Sequence, residues 1–338
     1  MLFSEIEQLC RDQQIKPSHA ERLNAAIYRH RNLDIAHIEG LPHNFRHWLA
    51  QQTQPIAAQA ISDQQSQDGT RKFLFRMEDG SDIETVHIPT ANRLTQCIST
   101  QVGCAMGCGF CLTAQLGLKR QLRAAEMVSQ IFLAAQISGQ MPRNLVLMGM
   151  GEPLHNYDEV SRFVRIVTDP KGMAFSPRRV TLSTSGIVPG IYRMIEERLP
   201  CNLAVSLNAT DDATRDQIMP INRKYPLATL MRAVTDYIAA YDHKRVLIEY
   251  VMLQGVNDSL ADAERLIAWI NHLGCTINLL PFNAFHDTAY KSPSIETVSQ
   301  FRQRLVEAGI VTVVRESRGM DISAACGQLQ AENSNNRD

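Results

Sequence analysis

Short apolar runs alternate with amphipathic helical segments over most of the chain. From about residue 93 onward, each run of strand length is followed by a stretch whose apolar residues recur every three or four positions. The segment 124–138, for example, carries Met127, Ile131 and Ala135 on one helical face. The pattern predicts strands at 94–99, 144–148, 179–183, 202–207, 245–253 and 276–281, and helices at 124–138, 157–168, 190–198, 227–240, 259–273 and 294–309.

Six strands that alternate with helices predict parallel pairing through right-handed crossovers. We therefore expect an α/β fold in which residues 93–329 form the catalytic domain, an incomplete (β/α)6 barrel of the TIM type. Chemistry in such barrels gathers at the carboxyl ends of the strands. Residues that follow the predicted strands are therefore the candidates for a site.

Two smaller regions precede the predicted barrel. Residues 1–70 have a mainly helical pattern with Pro42 as a breaker, which predicts a small helical accessory domain. Residues 71–92 contain two apolar runs separated by Asp79 and Gly80, which predicts a β-hairpin extension. The polar tail, residues 330–338, is expected to be disordered.

Composition limits the classes of function. The 338 residues include 34 Lys and Arg against 35 Asp and Glu, a net charge of −1, so a nucleic acid would have to meet a local basic patch. The chain has eight cysteines, no signal peptide and no apolar run long enough to cross a bilayer. These features predict a cytoplasmic enzyme with reduced thiols and no membrane association.

Three cysteines, Cys104, Cys108 and Cys111, have the spacing C-x3-C-x2-C directly after the first predicted barrel strand. Four-iron clusters in electron-transfer proteins usually have four cysteine ligands, so three thiolates leave one iron open for a cofactor. S-adenosylmethionine fits this position, because its amino and carboxylate groups chelate iron and its sulfonium accepts an electron. The alternative is a zinc site completed by His87 or His155, neither of which has finger-like spacing.

Glycine, serine and asparagine motifs follow other predicted strands. In Gly-Met-Gly-Glu-Pro at 149–153, the glycines allow a ligand to approach the backbone and Glu152 can accept hydrogen bonds from an ammonium group. The alternative for this motif is a tight turn with a capping carboxylate. Ser183, Asn208 and Asn283 offer polar groups suited to a ribose or a carboxylate, although each could equally be a local hydrogen bond at a strand end.

Longer motifs occur in one order along residues 84–329. They are C-I-S-T-Q-V-G-C at 97–104, the cysteine loop, M-G-M-G-E-P-L at 148–154, P-R-R at 177–179, M-P-I-N at 219–222, G-V-N-D-S at 255–259 and A-A-C-G-Q-L at 324–329. On these residues the chain resembles the RlmN/Cfr family of radical SAM RNA adenosine methyltransferases. Pro153 after Glu152 makes it most similar to the RlmN branch, which acts on carbon 2 of adenine, since the carbon 8 branch usually has alanine at this position.

The resemblance implies cofactors, partners and site residues. Cys104, Cys108 and Cys111 would bind a [4Fe-4S] cluster, and the substrate would be ribosomal RNA, with transfer RNA as a second candidate. An electron donor such as a flavodoxin is expected. The family pattern implies a methyl-carrying Cys326, a partner Cys97, an acid/base carboxylate at Glu84, and S-adenosylmethionine contacts at Gly151, Glu152, Ser183, Ser206, Leu207, Asn208 and Asn283.

The expected chemistry follows from the substrate. Adenine ring carbons are poor nucleophiles, so direct methyl transfer from a sulfonium does not serve. One S-adenosylmethionine would instead methylate the Cys326 thiolate by displacement. A second would supply a radical that removes hydrogen from the new S-methyl group, and the carbon radical would add to the base. Cys97 would then resolve the adduct and close a disulfide with Cys326.

Three alternatives stay open at this point: a carbon 8 methyltransferase, another radical SAM enzyme, and a non-enzymatic RNA-binding or zinc protein. The sequence also departs from the family. A carbon 8 enzyme would share the same apparatus, whereas a radical SAM activase or sulfur-inserting enzyme would not need the Cys97 and Cys326 pair. Before the methylated cysteine the family usually has Arg-Gly-Asp-Asp-Ile-Asp, but Met320 and Ser323 replace two of these aspartates here. Asn208 stands where histidine is common. These changes bear on the choice of RNA target.

Short basic clusters are the candidate RNA contacts, because RNA is bound through phosphates and through stacking on aromatic or guanidinium planes. The clusters are Lys119-Arg120 with Arg123, Arg178-Arg179, Arg223-Lys224 and Lys244-Arg245, and the accessory domain adds Arg29, His30, Arg31, Arg46, His47 and Trp48.

Overall fold

The structure, a computed structural model, describes residues 1–53, 58–241, 246–286 and 288–331. The predicted cluster Lys244-Arg245 and the tail from residue 332 lie outside these ranges. The strands are β1 (Gln59–Gln65), β2 (Arg71–Arg76), β3 (Asp82–Thr90), β4 (Arg93–Cys97), β5 (Gln101–Gly103), β6 (Leu118–Gln121), β7 (Asn144–Leu147), β8 (Val180–Thr184), β9 (Asn202–Ser206), β10 (Leu247–Met252), β11 (Thr276–Pro281) and β12 (Val311–Val314).

Helices separate most of these strands. Ser294 caps the last helix as predicted, since its Oγ accepts a hydrogen bond from the Thr297 amide at 3.1 Å. No helix in the described ranges is long and apolar enough to cross a membrane. The helices are α1 (Phe3–Asp12), α2 (Ser18–Tyr28), α3 (His43–Gln52), α4 (Leu112–Gln115), α5 (Ala124–Ser138), α6 (Tyr157–Thr168), α7 (Val188–Glu196), α8 (Asp212–Ile218), α9 (Leu227–Ala240), α10 (Leu260–Ile270) and α11 (Ile295–Glu307).

Ten strands form one sheet in the order β1-β2-β3-β4-β7-β8-β9-β10-β11-β12. The strands from β4 to β12 in this order pair in parallel, which confirms the predicted α/β architecture. The sheet is open between its two outer strands over the described residues. The seventh parallel strand, β12, was not predicted. It has four residues, and Val311 and Val313 are exposed, so its apolar run is too short to stand out.

The predicted hairpin continues this sheet at one edge. β2 and β3 pair antiparallel, and β3 pairs antiparallel with β4, where Val86 lies opposite Cys97. The prediction that residues 1–70 are helical is wrong for Gln59–Gln65, which form β1 and pair with β2. This strand was missed because its sequence is mostly polar and lacks an alternation of apolar residues.

The amino-terminal helices pack against the barrel helix α6. Ile6 of α1 and Leu23 of α2 are fully buried in the same apolar core as the sheet. Arg162 of α6 donates a 2.6 Å hydrogen bond to Glu5, which joins the two regions at the surface. The accessory helices therefore rest on the outside of the barrel, behind α6.

A two-stranded ribbon, β5 with β6, holds the ends of the cysteine loop together. Gly103 ends β5 with a φ of 75°, and a Cβ there would lie 1.8 Å from the Gly117 carbonyl oxygen. Only glycine fits this close approach. The Cys104 amide, next in sequence, donates a 3.0 Å hydrogen bond to the same oxygen. The two ends of the loop from Cys104 to Gly117 are thus held against each other.

Candidate active site

A cavity of about 910 Å³ lies inside the sheet and extends to the carboxyl ends of its parallel strands. This is the edge where barrel enzymes carry their chemistry. Ten of the thirteen predicted site residues line the cavity: Cys104, Cys108, Cys111, Gly151, Glu152, Ser183, Ser206, Asn208, Asn283 and Cys326.

The three cysteines of the loop share a buried environment. Burial raises the pKa of the Cys104 thiol to about 12 and raises the pKa of Cys108 and of Cys111 as well. Free thiols would therefore stay protonated here, and iron must supply the positive charge that turns them into thiolate ligands.

The donor set fits an iron-sulfur cluster better than zinc. Among the described residues, no three His, Cys, Asp or Glu side chains converge as ligands of a single metal ion. Three thiols that line one cavity can each bind a different iron of a four-iron cluster, whereas a structural zinc ion needs four ligands of its own. Ser183, Ser206 and Asn283 line the same cavity and can hold the polar parts of a cofactor beside it.

Glu152 is held in place in the segment that follows β7. Its carboxylate accepts hydrogen bonds from the Leu154 amide at 3.0 Å and the Ser185 amide at 2.7 Å, and its own amide donates to Gln101 Oε1 at 2.8 Å. Burial raises the pKa of this carboxyl group. Each carboxylate oxygen has a further lone pair, so the group can still accept from a ligand in the cavity. Both predicted roles, the capping carboxylate and the ligand-facing acceptor, are compatible with this geometry.

Asn208 and Leu207 have mainly structural contacts. Asn208 adopts a left-handed φ of 57°, and its Oδ1 accepts a 2.8 Å hydrogen bond from the Val251 amide. Leu207 was predicted to contact the cofactor. Its side chain is instead fully buried in the core and does not line the cavity. Its amide donates to the Glu249 carbonyl and its carbonyl accepts from Arg215, so its backbone is also engaged.

Arg215, which the sequence analysis did not single out, holds the strand ends in place. The side chain is fully buried. It donates hydrogen bonds to the carbonyls of Leu207 at 2.9 Å, Ser185 at 2.7 Å and Ser206 at 3.1 Å. Burial lowers the pKa of the guanidinium to about 10, so it remains charged at neutral pH. One cation therefore fixes the turns after β8 and β9.

Cys326 is open to solvent through the cavity although its sulfur lies deep among protein atoms. Burial and then the charge of Glu249 raise the pKa of its thiol to about 11. The Gly327 carbonyl beside it accepts a 2.7 Å hydrogen bond from the amide of Leu112, which follows the last cysteine of the loop. Cys326 is thereby tied to the cysteine loop.

Cys97 lies behind the cavity wall at the end of β4. It is buried, and burial together with the nearby charge of Cys326 raises the pKa of its thiol. The eight cysteines are all described, and none of them forms a disulfide. The implied disulfide between Cys97 and Cys326 is therefore not present in the structure.

Glu84 is also outside the cavity lining. Its side chain is 1% exposed and forms a 3.0 Å ion pair with Lys72. Its Oε2 accepts hydrogen bonds from the amides of Gln330 at 2.9 Å and Ala331 at 3.1 Å. The segment that follows Cys326 therefore covers the predicted acid/base carboxylate.

A second buried carboxylate, Glu249, does line the cavity and was missed by the sequence analysis. It lies on β10 between Ser206 of β9 and Asn278 of β11 in the strand register. Asn278 Nδ2 donates a 3.0 Å hydrogen bond to its Oε1. Burial raises the pKa of this carboxyl group to about 7. No motif pointed to Glu249, because its environment arises only when three strands come together.

The two departures from the family motif are on the surface of the Cys326 loop. Met320 is 57% exposed, and Ser323 has a left-handed φ of 51°. The retained Asp321 anchors the loop to the turn between β1 and β2, where it accepts hydrogen bonds from Ser66 Oγ at 2.6 Å and the Gln67 amide at 3.2 Å. Replacing the flanking aspartates therefore leaves the loop attached.

Comparisons with known proteins agree with this site. The family model of the radical SAM superfamily matches residues 98–268. The dual-specificity RNA methyltransferase RlmN of Rhodospirillum rubrum is 45% identical over 337 residues, which cover 97% of this chain and 78% of that protein. The chain belongs to the RlmN family of radical SAM RNA methyltransferases. The RlmN protein of Syntrophotalea carbinolica is 48% identical over 268 residues, which cover 79% of this chain and 71% of that protein.

A solved structure supports the RlmN family fold. The crystal structure of a radical SAM methyltransferase from Sphaerobacter thermophilus has a TM-score of 0.91 and 42% sequence identity, and the match covers 98% of both chains. Membership of the family implies a [4Fe-4S] cluster and S-adenosylmethionine as cofactors, as the sequence predicted. It also favours the methyltransferase over the activase and sulfur-insertion alternatives.

Proposed function

We propose that this enzyme methylates carbon 2 of an adenosine in ribosomal RNA, with an adenosine of transfer RNA as a second substrate. The name of the relatives, dual-specificity RNA methyltransferase RlmN, supports two RNA classes. Pro153 after Glu152 supports carbon 2, because the sequence resembles the carbon 2 branch at this position.

The observation that carries the proposal is the position of Cys326. A thiol that lines the same cavity as the three cluster cysteines, and whose loop is hydrogen-bonded to theirs, can take up a methyl group next to the cofactor. Cys326 is also the one exposed cysteine of the eight. A cysteine with a purely structural role would be expected in the core.

The cofactors, when bound, supply the methyl group, the electron and the radical that adenine carbon chemistry requires. Cys104, Cys108 and Cys111 would hold the cluster. Gly151, Glu152, Ser183, Ser206, Asn208 and Asn283 would bind S-adenosylmethionine from the cavity wall, and Leu207 would support them from the core.

The remaining proposed roles belong to thiols and carboxylates. Cys326 carries the methyl group at its Sγ. Once this carbon is joined to the base, the nearby Cys97 thiolate attacks Cys326 Sγ: the S–S bond forms, the S–CH2 bond breaks, and the carbon leaves with the electron pair and takes up a proton to become the methyl group of the product. Glu84 moves a proton to or from the base, with Lys72 as its counter-charge. Since the backbone of Gln330 and Ala331 covers Glu84, the proton transfer requires this segment to move aside.

Three further parts of the proposal concern organisation and partners. We assign residues 1–70 to an accessory region that contacts RNA, 71–92 to the hairpin extension and 93–329 to the catalytic barrel.

The electron would come from a small donor protein such as a flavodoxin. The enzyme would work in the cytoplasm, where its substrates and reductant are found.

The decisive test is nucleoside analysis by mass spectrometry. Purified enzyme with reconstituted cluster is incubated with S-adenosylmethionine, a reductant and unmodified ribosomal or transfer RNA. We expect 2-methyladenosine in ribosomal RNA and a smaller amount in transfer RNA. Detection of 8-methyladenosine alone would overturn the choice of carbon 2, and no methyladenosine in either RNA would overturn the proposed substrates.

A further inference from the structure

A groove lies at the amino ends of β7 and β8, at the opposite edge of the sheet from the cysteine loop. Its lining includes Arg143, Arg178 and Arg179 together with Met141 and Phe175. The groove has a volume of about 640 Å³ and none of its lining residues is acidic. We call these residues the arginine groove.

The arginine groove is continuous with the cavity of the active site. The three arginines line both spaces, and Arg93 at the start of β4 joins them on the cavity side. Strand register explains the grouping. Thr95 pairs with Asn144, and Leu145 pairs with Val180, so Arg93, Arg143 and Arg178 sit at the amino ends of three adjacent parallel strands. A row of cations therefore stands at one mouth of the cavity.

The guanidinium groups of this row have no carboxylate partner among the described residues, whereas several arginines elsewhere do. Arg120, in a cluster predicted from sequence to meet RNA, is instead paired with Asp79 and with Glu126 at 2.9 Å. Such unpaired and exposed cations are available to phosphates. Of the predicted basic clusters, Arg178-Arg179 is thus the one that both opens on the cavity and keeps its charge free.

The backbone beneath the groove is held firmly. The Asn202 side chain donates a 3.0 Å hydrogen bond to the Arg178 carbonyl, and the Phe175 amide donates at 2.9 Å to the Val167 carbonyl of α6. Arg143 is fixed in the same way, since its amide donates at 2.8 Å to the Leu94 carbonyl. The backbone positions of the row are therefore fixed, so the side chains can meet a chain of phosphates without a rearrangement of the backbone.

We propose that the arginine groove binds the phosphate backbone of the RNA strand on either side of the target adenosine, so that the base enters the cavity between Arg143 and Arg178. This inference rests on the proposed RNA methyltransferase function and specifies where its substrate lies. Charge complementarity and continuity with the active-site cavity select RNA as the occupant. The half-buried ring of Phe175 offers an apolar floor on which a neighbouring base can stack.

The test is equilibrium binding of the cluster-containing enzyme to a synthetic RNA hairpin with an adenosine in its loop, at a series of salt concentrations. Each contact with a single-stranded phosphate contributes roughly 0.7 to the slope of log K against log salt. We expect Arg143→Gln and Arg178→Gln each to lower affinity severalfold and to reduce the slope by about that amount. Arg143→Lys and Arg178→Lys, which keep the charge, should keep most of the slope.

Arg302→Gln is the matched control, because Arg302 is an exposed arginine on the outer side of α11. It should bind RNA as the unmodified enzyme does. Thermal unfolding confirms that each variant is folded. Unchanged affinity and slope in both glutamine variants would overturn the inference, as would a loss that lysine does not restore. These outcomes are independent of product formation, so a failure to find methyladenosine would overturn the proposed function and leave the binding result to stand.

Discussion

Lys72 Nζ lies 3.0 Å from Glu84 Oε1 in an environment where the Lys72 side chain is 10% exposed and the Glu84 side chain 1%. The two residues are on neighbouring strands, β2 and β3, and Lys72 also donates to the Ser323 carbonyl at 3.3 Å. A buried carboxylate needs such a partner. Lys72 therefore links Glu84, the proposed acid/base residue of the hairpin extension, to the loop that carries Cys326.

Lys72→Met should destabilise the protein by about 3 kcal/mol, because it leaves a buried carboxylate without its counter-charge. The double variant Lys72→Met with Glu84→Gln should recover most of this loss, since neither residue then carries a charge. Urea unfolding of the two variants measures the difference. Equal destabilisation of the single and double variants would show that the loss does not come from the unpaired carboxylate of Glu84.

Glu249 should make stability depend on pH. Its pKa is about 7 in the folded chain against an ordinary value of 4.5, so between these values the unfolded chain has released the proton that the folded chain still holds. Stability then falls as pH rises across this window, by about 3 kcal/mol in total at 1.36 kcal/mol per pKa unit.

Glu249→Gln should remove this fall. The difference in stability between the variant and the unmodified protein should favour the variant more at pH 8 than at pH 5. Urea unfolding at the two pH values measures this difference. Glu39→Gln, at an exposed carboxylate that has no ion pair among the described residues, is the control and should keep the fall of stability with pH. A Glu249→Gln profile parallel to that of the unmodified protein would contradict the assignment of the raised pKa to this group.

Cys108→Ala should abolish cluster assembly, since two thiols in the loop cannot hold the four irons that three can. Iron and sulfide analysis and the absorbance of the anaerobically reconstituted protein measure the cluster, and formation of deoxyadenosine measures reductive cleavage of S-adenosylmethionine. Cys275→Ala, at a buried cysteine of the core, is the control and should keep both. Full cleavage activity in Cys108→Ala would refute the ligand assignment.

The alternation of apolar runs and helical faces predicted most of the sheet, because several of the parallel strands contain runs of buried, mainly apolar residues. β1 and β12 escaped this reasoning for physical reasons: the first is polar and the second very short. At the site, motifs found residues whose chemical type is distinctive, such as the three cysteines. They could not find Arg215 or Glu249. An arginine or glutamate in a sequence indicates a surface position, and only the assembled fold encloses these two and provides their partners.

The last prediction concerns the thiol behind the cavity wall. If Cys97 releases the product by attack on Cys326, Cys97→Ala should still accept a methyl group at Cys326 but should accumulate RNA joined to the protein through a methylene bridge. Mass spectrometry of nuclease-treated and protease-treated enzyme would detect a nucleoside attached to the peptide that contains Cys326. Cys201→Ala, at another fully buried thiol, is the control and should turn over without an adduct. Multiple turnovers by Cys97→Ala would exclude the proposed attack of Cys97 on Cys326. Finding neither the adduct nor methylated Cys326 would exclude Cys326 as the methyl carrier.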